Sequence, residues 1–118
     1  MTPESDDDDD WEVILSVTAF GEKPIPALNV YATPQEDDSF RYDIGHVVFD
    51  EPNSSARADV LNEVLNEHVA LLAPAANTLR RPDVWVRFFL TLPSGAETIS
   101  ADTVRALASV NATLWIDA

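Results

Sequence analysis

WEVILSVTAF, residues 11–20, alternates with a period of two. Trp11, Val13, Leu15, Val17 and Ala19 fall on one face. Glu12, Ser16 and Thr18 fall on the other, with Ile14 and Phe20. A period of two marks a half-buried strand, because successive side chains point to opposite sides. Gly21 closes the strand. Pro24 and Pro26 exclude its continuation in the middle of a sheet, since proline has no N–H for the ladder.

Ahead of this strand runs SDDDDDW, residues 5–11. The first ten residues hold six acids, Glu4 and the run Asp6, Asp7, Asp8, Asp9 and Asp10. Residues 1–10 therefore read as an acidic N-terminal arm and residues 11–118 as a single domain. The whole chain carries 21 acids against seven bases, a formal net charge of −14, and the arm leaves the domain itself at −8. Such a charge repels nucleic acid and anionic membranes and attracts basic proteins. The bland alternative is solubility alone. Apolar residues make up 46% of the chain, too many for a disordered one. There is no cysteine, so disulfides and thiolate metal sites are excluded. No basic-then-apolar leader is visible, and no apolar run approaches the ~20 residues that span a bilayer. The default expectation is the cytoplasm.

Beyond the first strand, ALNVYA at 27–32 reads as a short strand or one helical turn. TPQEDDS at 33–39 is loop chemistry with a second acid group, Glu36, Asp37 and Asp38. FRYDIGHVVFD at 40–50 is a strand. Its apolar parity shifts at Gly45, which predicts a bulge there. A third acid group, Asp50 and Glu51, follows, and Asp43 lies within the strand. Asn53, Ser54 or Ser55 caps a helix that runs to about Ala73. Val60, Leu61, Val64, Leu65, His68 and Leu72 form its stripe, with Arg57, Asp59, Glu63 and Glu67 mostly off it. Pro74 ends or kinks it, or serves as N1 of a second piece through Leu79.

DVWVRFFLTL at 83–92 is apolar on both faces, as expected of a central strand. Ser100 caps a short helix over 101–109, with Val104, Leu107 and Ala108 inward and Asp102 at its positive end. Asn111 suits a left-handed C′ position. ATLWID at 112–117 is a last strand. The order predicts an α+β two-layer sandwich: a mixed or antiparallel sheet of about four to five strands, with two helices on one face.

Three stretches carry a likeness: SVTAFGEKPIPALNVYATPQ (16–35), VLNEVLNEHVALLAPAANTL (60–79) and ISADTVRALASVNATLWIDA (99–118). With these the chain resembles the bacterial domain-of-unknown-function family 4279. Pro24 and Pro26 interrupt the helical turn that the family keeps after its first strand. The resemblance implies an α+β fold, and it implies little about activity. Some members look like neighbours of bacterial toxin or defence systems.

No nucleophile with an oriented base, phosphate-binding glycine loop or EF-hand spacing is present. His68 sits on the apolar stripe, where a semi-buried core role is expected. His46 is expected to be a partly exposed strand residue, and Arg80 and Arg81 to serve a helix end. The function read from these residues is a non-catalytic acidic binding protein without cofactor or metal, an immunity (antitoxin) protein that neutralises a bacterial toxin. Asp6 to Asp10, Glu36, Asp37, Asp38, Asp43, Asp50 and Glu51 would supply electrostatic steering, and aromatics such as Trp11, Tyr31 and Trp85 the anchors. The partner is a basic protein, and the chain itself is a monomer or weak dimer. The alternatives are a DNA-mimic inhibitor, a small enzyme or metal-dependent protein using Glu63, Glu67 and His68, and an accessory subunit pairing through a sheet edge.

Overall fold

The computed structural model describes residues 11–93 and 97–117; the five arm aspartates lie outside the described residues. Five strands form one mixed sheet in the order β2-β3-β1-β4-β5. β1 (Glu12–Gly21) occupies its centre, with Val13, Leu15, Val17 and Ala19 fully buried as the alternation predicts. Gly21 ends it because a Cβ there would stand 2.8 Å from the Lys23 carbonyl oxygen. Pro26 then starts a 3₁₀ helix, Pro26–Tyr31, whose entry is pinned by the Ile25 N–H donating to the Tyr42 hydroxyl at 2.8 Å.

β2 (Ala32–Thr33) pairs with only Tyr42 and Arg41 of β3 (Phe40–Asp50). β3 runs antiparallel to β1, and its register slips opposite Val17 and Thr18, leaving Ile44 as the extra residue. The slip is the bulge foreseen at Gly45. It turns Tyr42 and Ile44 into the core and then brings Val47 and Phe49 inward.

Asn53 is the cap of α1 (Ser54–Leu72), its Oδ1 accepting from the Ala56 N–H at 2.9 Å. Leu61, Leu65 and Leu72 are fully buried against the sheet. The His68 ring lies against the backbone of Gly45, where a Cβ would fall 2.3 Å from Nε2. Glycine is needed at position 45 because helix and strand touch there. Past Pro74 the chain makes two 3₁₀ turns, Ala73–Ala75 and Thr78–Arg80, and enters β4 (Trp85–Thr91), antiparallel to β1. α2 (Ala101–Ser109), capped by Ser100, carries the chain over to β5 (Ala112–Asp117), parallel to β4. Asn111 has φ 58°, the left-handed turn that ends α2. Both helices share one core cluster with the inward residues of β1 and β4, so they lie on the same face of the sheet.

Four details differ from the pattern in the sequence. The central strand is β1, and β4 lies one place out; its second apolar face receives no helix. Arg57 lies inside the molecule at 3% exposure, not off the stripe. α2 is rotated: Thr103, Leu107 and Val110 face inward, while Val104 is exposed, as is Ala108. A polar seam sets that rotation. Asn66 donates to Thr103 Oγ1 at 2.9 Å, and Asn62 accepts from the Ser100 N–H and donates to the Thr98 carbonyl. Finally, Arg81 serves no helix end. It makes two bonds to Asp83 and reaches the carbonyls of Lys23 and Pro24, clamping the turn after β1 to the approach to β4.

Candidate functional site: the helix-free face of the sheet

The sheet is covered on one side only, so every second residue of β1, β3, β4 and β5 faces away from the helices. Register brings these residues into rows across the strands. His46, Ser16, Phe89 and Trp115 form the middle row. Toward one end lie Asp43, Thr18, Arg87 and Thr113, then Arg41, Phe20 and Trp85. Toward the other lie Val48, Ile14, Thr91 and Asp117, then Asp50 and Glu12.

Aromatic contacts bind the middle of this face together. Phe89 and Trp115 stack with ring centroids 5.9 Å apart, and the Arg87 guanidinium sits 5.1 Å above the Trp115 ring. Arg41 lies 5.8 Å over Phe20 and pairs with Asp43 at 3.0 Å. Even so, Trp85 is 65% exposed, Trp115 51% and Val48 50%. Large apolar groups left open on one face are unusual, because each costs about 25 cal/mol per Å² left in water.

Two hollows open on this face. The larger, about 710 Å³, runs between Phe20, Trp85, Arg87 and the Pro82–Asp83 corner. The smaller, about 390 Å³, is lined by Ser16, Thr18, Arg41, Asp43 and His46. In it Ser16 Oγ and His46 Nδ1 are 2.8 Å apart. Catalysis by such a pair needs a third group to orient the base and donors for an oxyanion. Asp43, the nearest carboxylate in sequence, is instead held by Arg41 and the Thr33 hydroxyl.

The face is electrically polarised along the strands. Glu12 and Asp50 stand directly opposite each other at one end, with Asp117 two strands farther across, on β5. Arg41 and Arg87 lie toward the other end, where Asp43 pairs with Arg41 and offsets part of their charge. Asp83 forms the wall of the larger hollow with its carboxyl held below the usual 3.8. Desolvation raises it, but bonds from Arg81 and the Lys23 N–H, with the Arg81 charge, outweigh that. Asp37 is lowered by hydrogen bonds from the Ser39 hydroxyl and N–H.

The acids singled out in the sequence do not form one patch. β1 and β3 run antiparallel, so Asp50 and Glu51 lie beside Trp11 and the root of the arm, whereas Glu36, Asp37 and Asp38 lie at the far end of β3. Glu51 accepts from the Asn53 N–H and so helps shape the start of α1. Trp11 is half-buried with the Arg57 guanidinium 5.0 Å over its ring. Arg57 in turn pairs with Glu97 at 2.7 Å and donates to the carbonyls of Glu51 and Pro52. Trp11 is therefore held at the start of β1 by a buried cation. Tyr31 packs against the core. Trp85, alone of the three aromatics named from the sequence, stands free.

Phe89, Trp115, Arg41 and Arg87 were missed by sequence reasoning. The signal for Phe89 and Arg87 was the second face of DVWVRFFLTL, which reads equally as burial on both sides; Arg41 and Trp115 join them only through strand pairing. His68 bonds the Val64 carbonyl through Nδ1 and faces β3, while Glu63 and Glu67 point to solvent, so these three do not converge. Among the described residues no group of three or more His, Asp or Glu is arranged to hold a metal, and no helix is long and apolar enough to cross a membrane. Compared with family models, curated proteins and solved structures, the chain matches none.

Proposed function

We propose that the protein is a non-catalytic, acidic protein-binding module whose partner is a basic protein, and that it acts as an immunity protein neutralising a bacterial toxin by direct contact. The observation that carries the binding reading is the helix-free face, where Trp85, Trp115 and Val48 are half or more exposed. Large rigid aromatics in a partly formed cluster are the groups that anchor protein interfaces. The toxin assignment rests on charge. A net charge of −14 attracts a cationic surface from a distance and speeds encounter. The acid end of the face, with Glu12, Asp50 and Asp117, is where that surface would arrive. The cytoplasm is the compartment this role implies. The likeness to family 4279 is a separate proposal, resting on its three stretches of sequence.

The test is capture from the source cells with the full chain, with residues 1–10 removed, and with Trp85→Ala/Trp115→Ala. One stoichiometric basic protein is expected, whose toxicity the full chain suppresses. The double tryptophan variant should weaken the purified complex by ~30-fold or more, as interface anchors do. Removing the arm should slow association and flatten its salt dependence. Capture of no partner, or of one indifferent to both tryptophans, would sink the assignment of this face.

A further inference from the structure

The same face has a second property: it complements itself. Its charges are unequally shared, with Glu12, Asp50 and Asp117 toward one end and Arg41 and Arg87 toward the other, where Asp43 is the acid paired with Arg41. An interface made by a twofold axis must carry both halves of every contact on one surface. Place the axis in the plane of the sheet, across the strands, over the row of Ser16 and Phe89. Each strand then lies over its own copy, reversed. Asp50 falls opposite the second copy's Arg41, and Asp117 falls beside the second copy's Arg87. The Trp115 and Phe89 rings meet their own copies at the centre.

We infer that a second copy of this chain covers the helix-free face in the free protein, as a face-to-face dimer that must separate before another partner binds. The inference rests on the reading of this face as the binding surface and concerns its regulation. Area supports it. Four strands ~4.8 Å apart and five rows ~6.8 Å apart give a contact on the order of 500–800 Å² per copy. That lies at or just under the size of a standard interface, so the dimer is of modest affinity. Two sheets packed ~10 Å apart with strands near −30° are a common arrangement. Arg41 meets the requirement for a second acid, because Asp43 takes only its Nε. The net charge of each copy opposes the dimer, but charges farther apart than ~8 Å are largely screened at physiological salt.

The experiment is sedimentation equilibrium of the purified full chain alone, with three chains compared: the natural one, Arg41→Asp/Arg87→Asp, and that pair combined with Asp50→Arg/Asp117→Arg. Circular dichroism checks that each is folded. The natural chain is expected to show a reversible monomer–dimer equilibrium. The double variant should raise the dissociation constant ~100-fold or more, since like charges are forced together. The fourfold variant exchanges the two ends and should return to within ~10-fold of the natural chain. A natural chain that stays monomeric to ~500 µM, well past what an interface of this size needs, overturns the inference. So does a dimer indifferent to the double variant, or a folded fourfold variant that fails to recover. No toxin enters this measurement, so its failure and the failure of the immunity assignment are separate results.

Discussion

Replace Arg57 with alanine. Its guanidinium pairs with Glu97, both side chains being only 3% exposed. It also donates to the carbonyls of Glu51 and Pro52 at 2.8 and 3.2 Å and covers the Trp11 ring. The substitution leaves the Glu97 carboxylate in a dry site with no cation. Breaking one side of a buried pair costs about 3–5 kcal/mol, most of it the desolvation of the abandoned charge. The lost cation–π contact adds ~0.5–2 kcal/mol. Against a total stability of about 5–15 kcal/mol for a domain, a third or more of the margin disappears. The assay is urea unfolding followed by tryptophan fluorescence. With m near 1–3 kcal/mol/M, the midpoint should fall by roughly 2 M. Glu97→Gln should cost less, because the amide oxygen still accepts from Arg57, whose stranded charge keeps the carbonyls of Glu51 and Pro52 and the Trp11 ring. Arg57→Met/Glu97→Leu should recover most of the loss, since an apolar pair of similar size needs no desolvation. A loss under ~1 kcal/mol for Arg57→Ala would refute the reasoning, as would additive effects of changes at positions 57 and 97.

Three further outcomes follow from local geometry. Gly45→Ala places a Cβ against the His68 ring, so it should destabilise by about 1–3 kcal/mol in the same urea assay, and His68→Ala should relieve most of that added cost. Asp83 has a folded-state pKa below its unfolded value of 3.8, so its contribution is complete above that value and is lost as pH falls through the lower, folded pKa. The stability gap between the natural chain and Asp83→Asn, read by urea melts, should therefore be flat above about pH 5 and shrink toward pH 3. Thr103→Val keeps the shape of a fully buried side chain but removes the oxygen that accepts from Asn66. A loss of about 1–2 kcal/mol is expected by thermal unfolding.

What the sequence made legible was local. The alternation of residues 11–20 needs only its own ten residues, and so do the caps at Asn53 and Ser100 and the left-handed Asn111. The bulge was visible because parity breaks within one strand. The missed features all need a second segment. Arg57 looks like a solvated charge until Glu97, forty residues later, is known to lie against it. Val104 is a better inward residue than Thr103 on hydrophobicity alone, and the order reverses only because Asn66 of α1 supplies a donor. Phe89 and Trp115 become one cluster through the parallel pairing of β4 with β5, and no pattern within either strand announces that.

The placement of charge also bears on the choice between a protein partner and imitation of DNA. A mimic has to present acids at dense, regular spacing over one surface. Here the acids Glu36 to Asp38 and the acids Asp50 and Glu51 lie at opposite ends of β3, an eleven-residue strand, about 35 Å long. Between them the open surface carries Arg41 paired with Asp43, Arg87, Ser16, Thr18 and exposed tryptophans. That layout separates the tasks: charge at the ends acts at long range, and apolar surface in the middle acts on contact. Loss of charge should therefore appear mainly in association rate and its salt dependence, and loss of Trp85 or Trp115 mainly in dissociation rate. A mimic would show the reverse, with affinity spread over many acids and little effect of either tryptophan. Surface plasmon resonance on the purified partner at two salt concentrations distinguishes the two, because the tryptophan variants leave the charge of the chain unchanged.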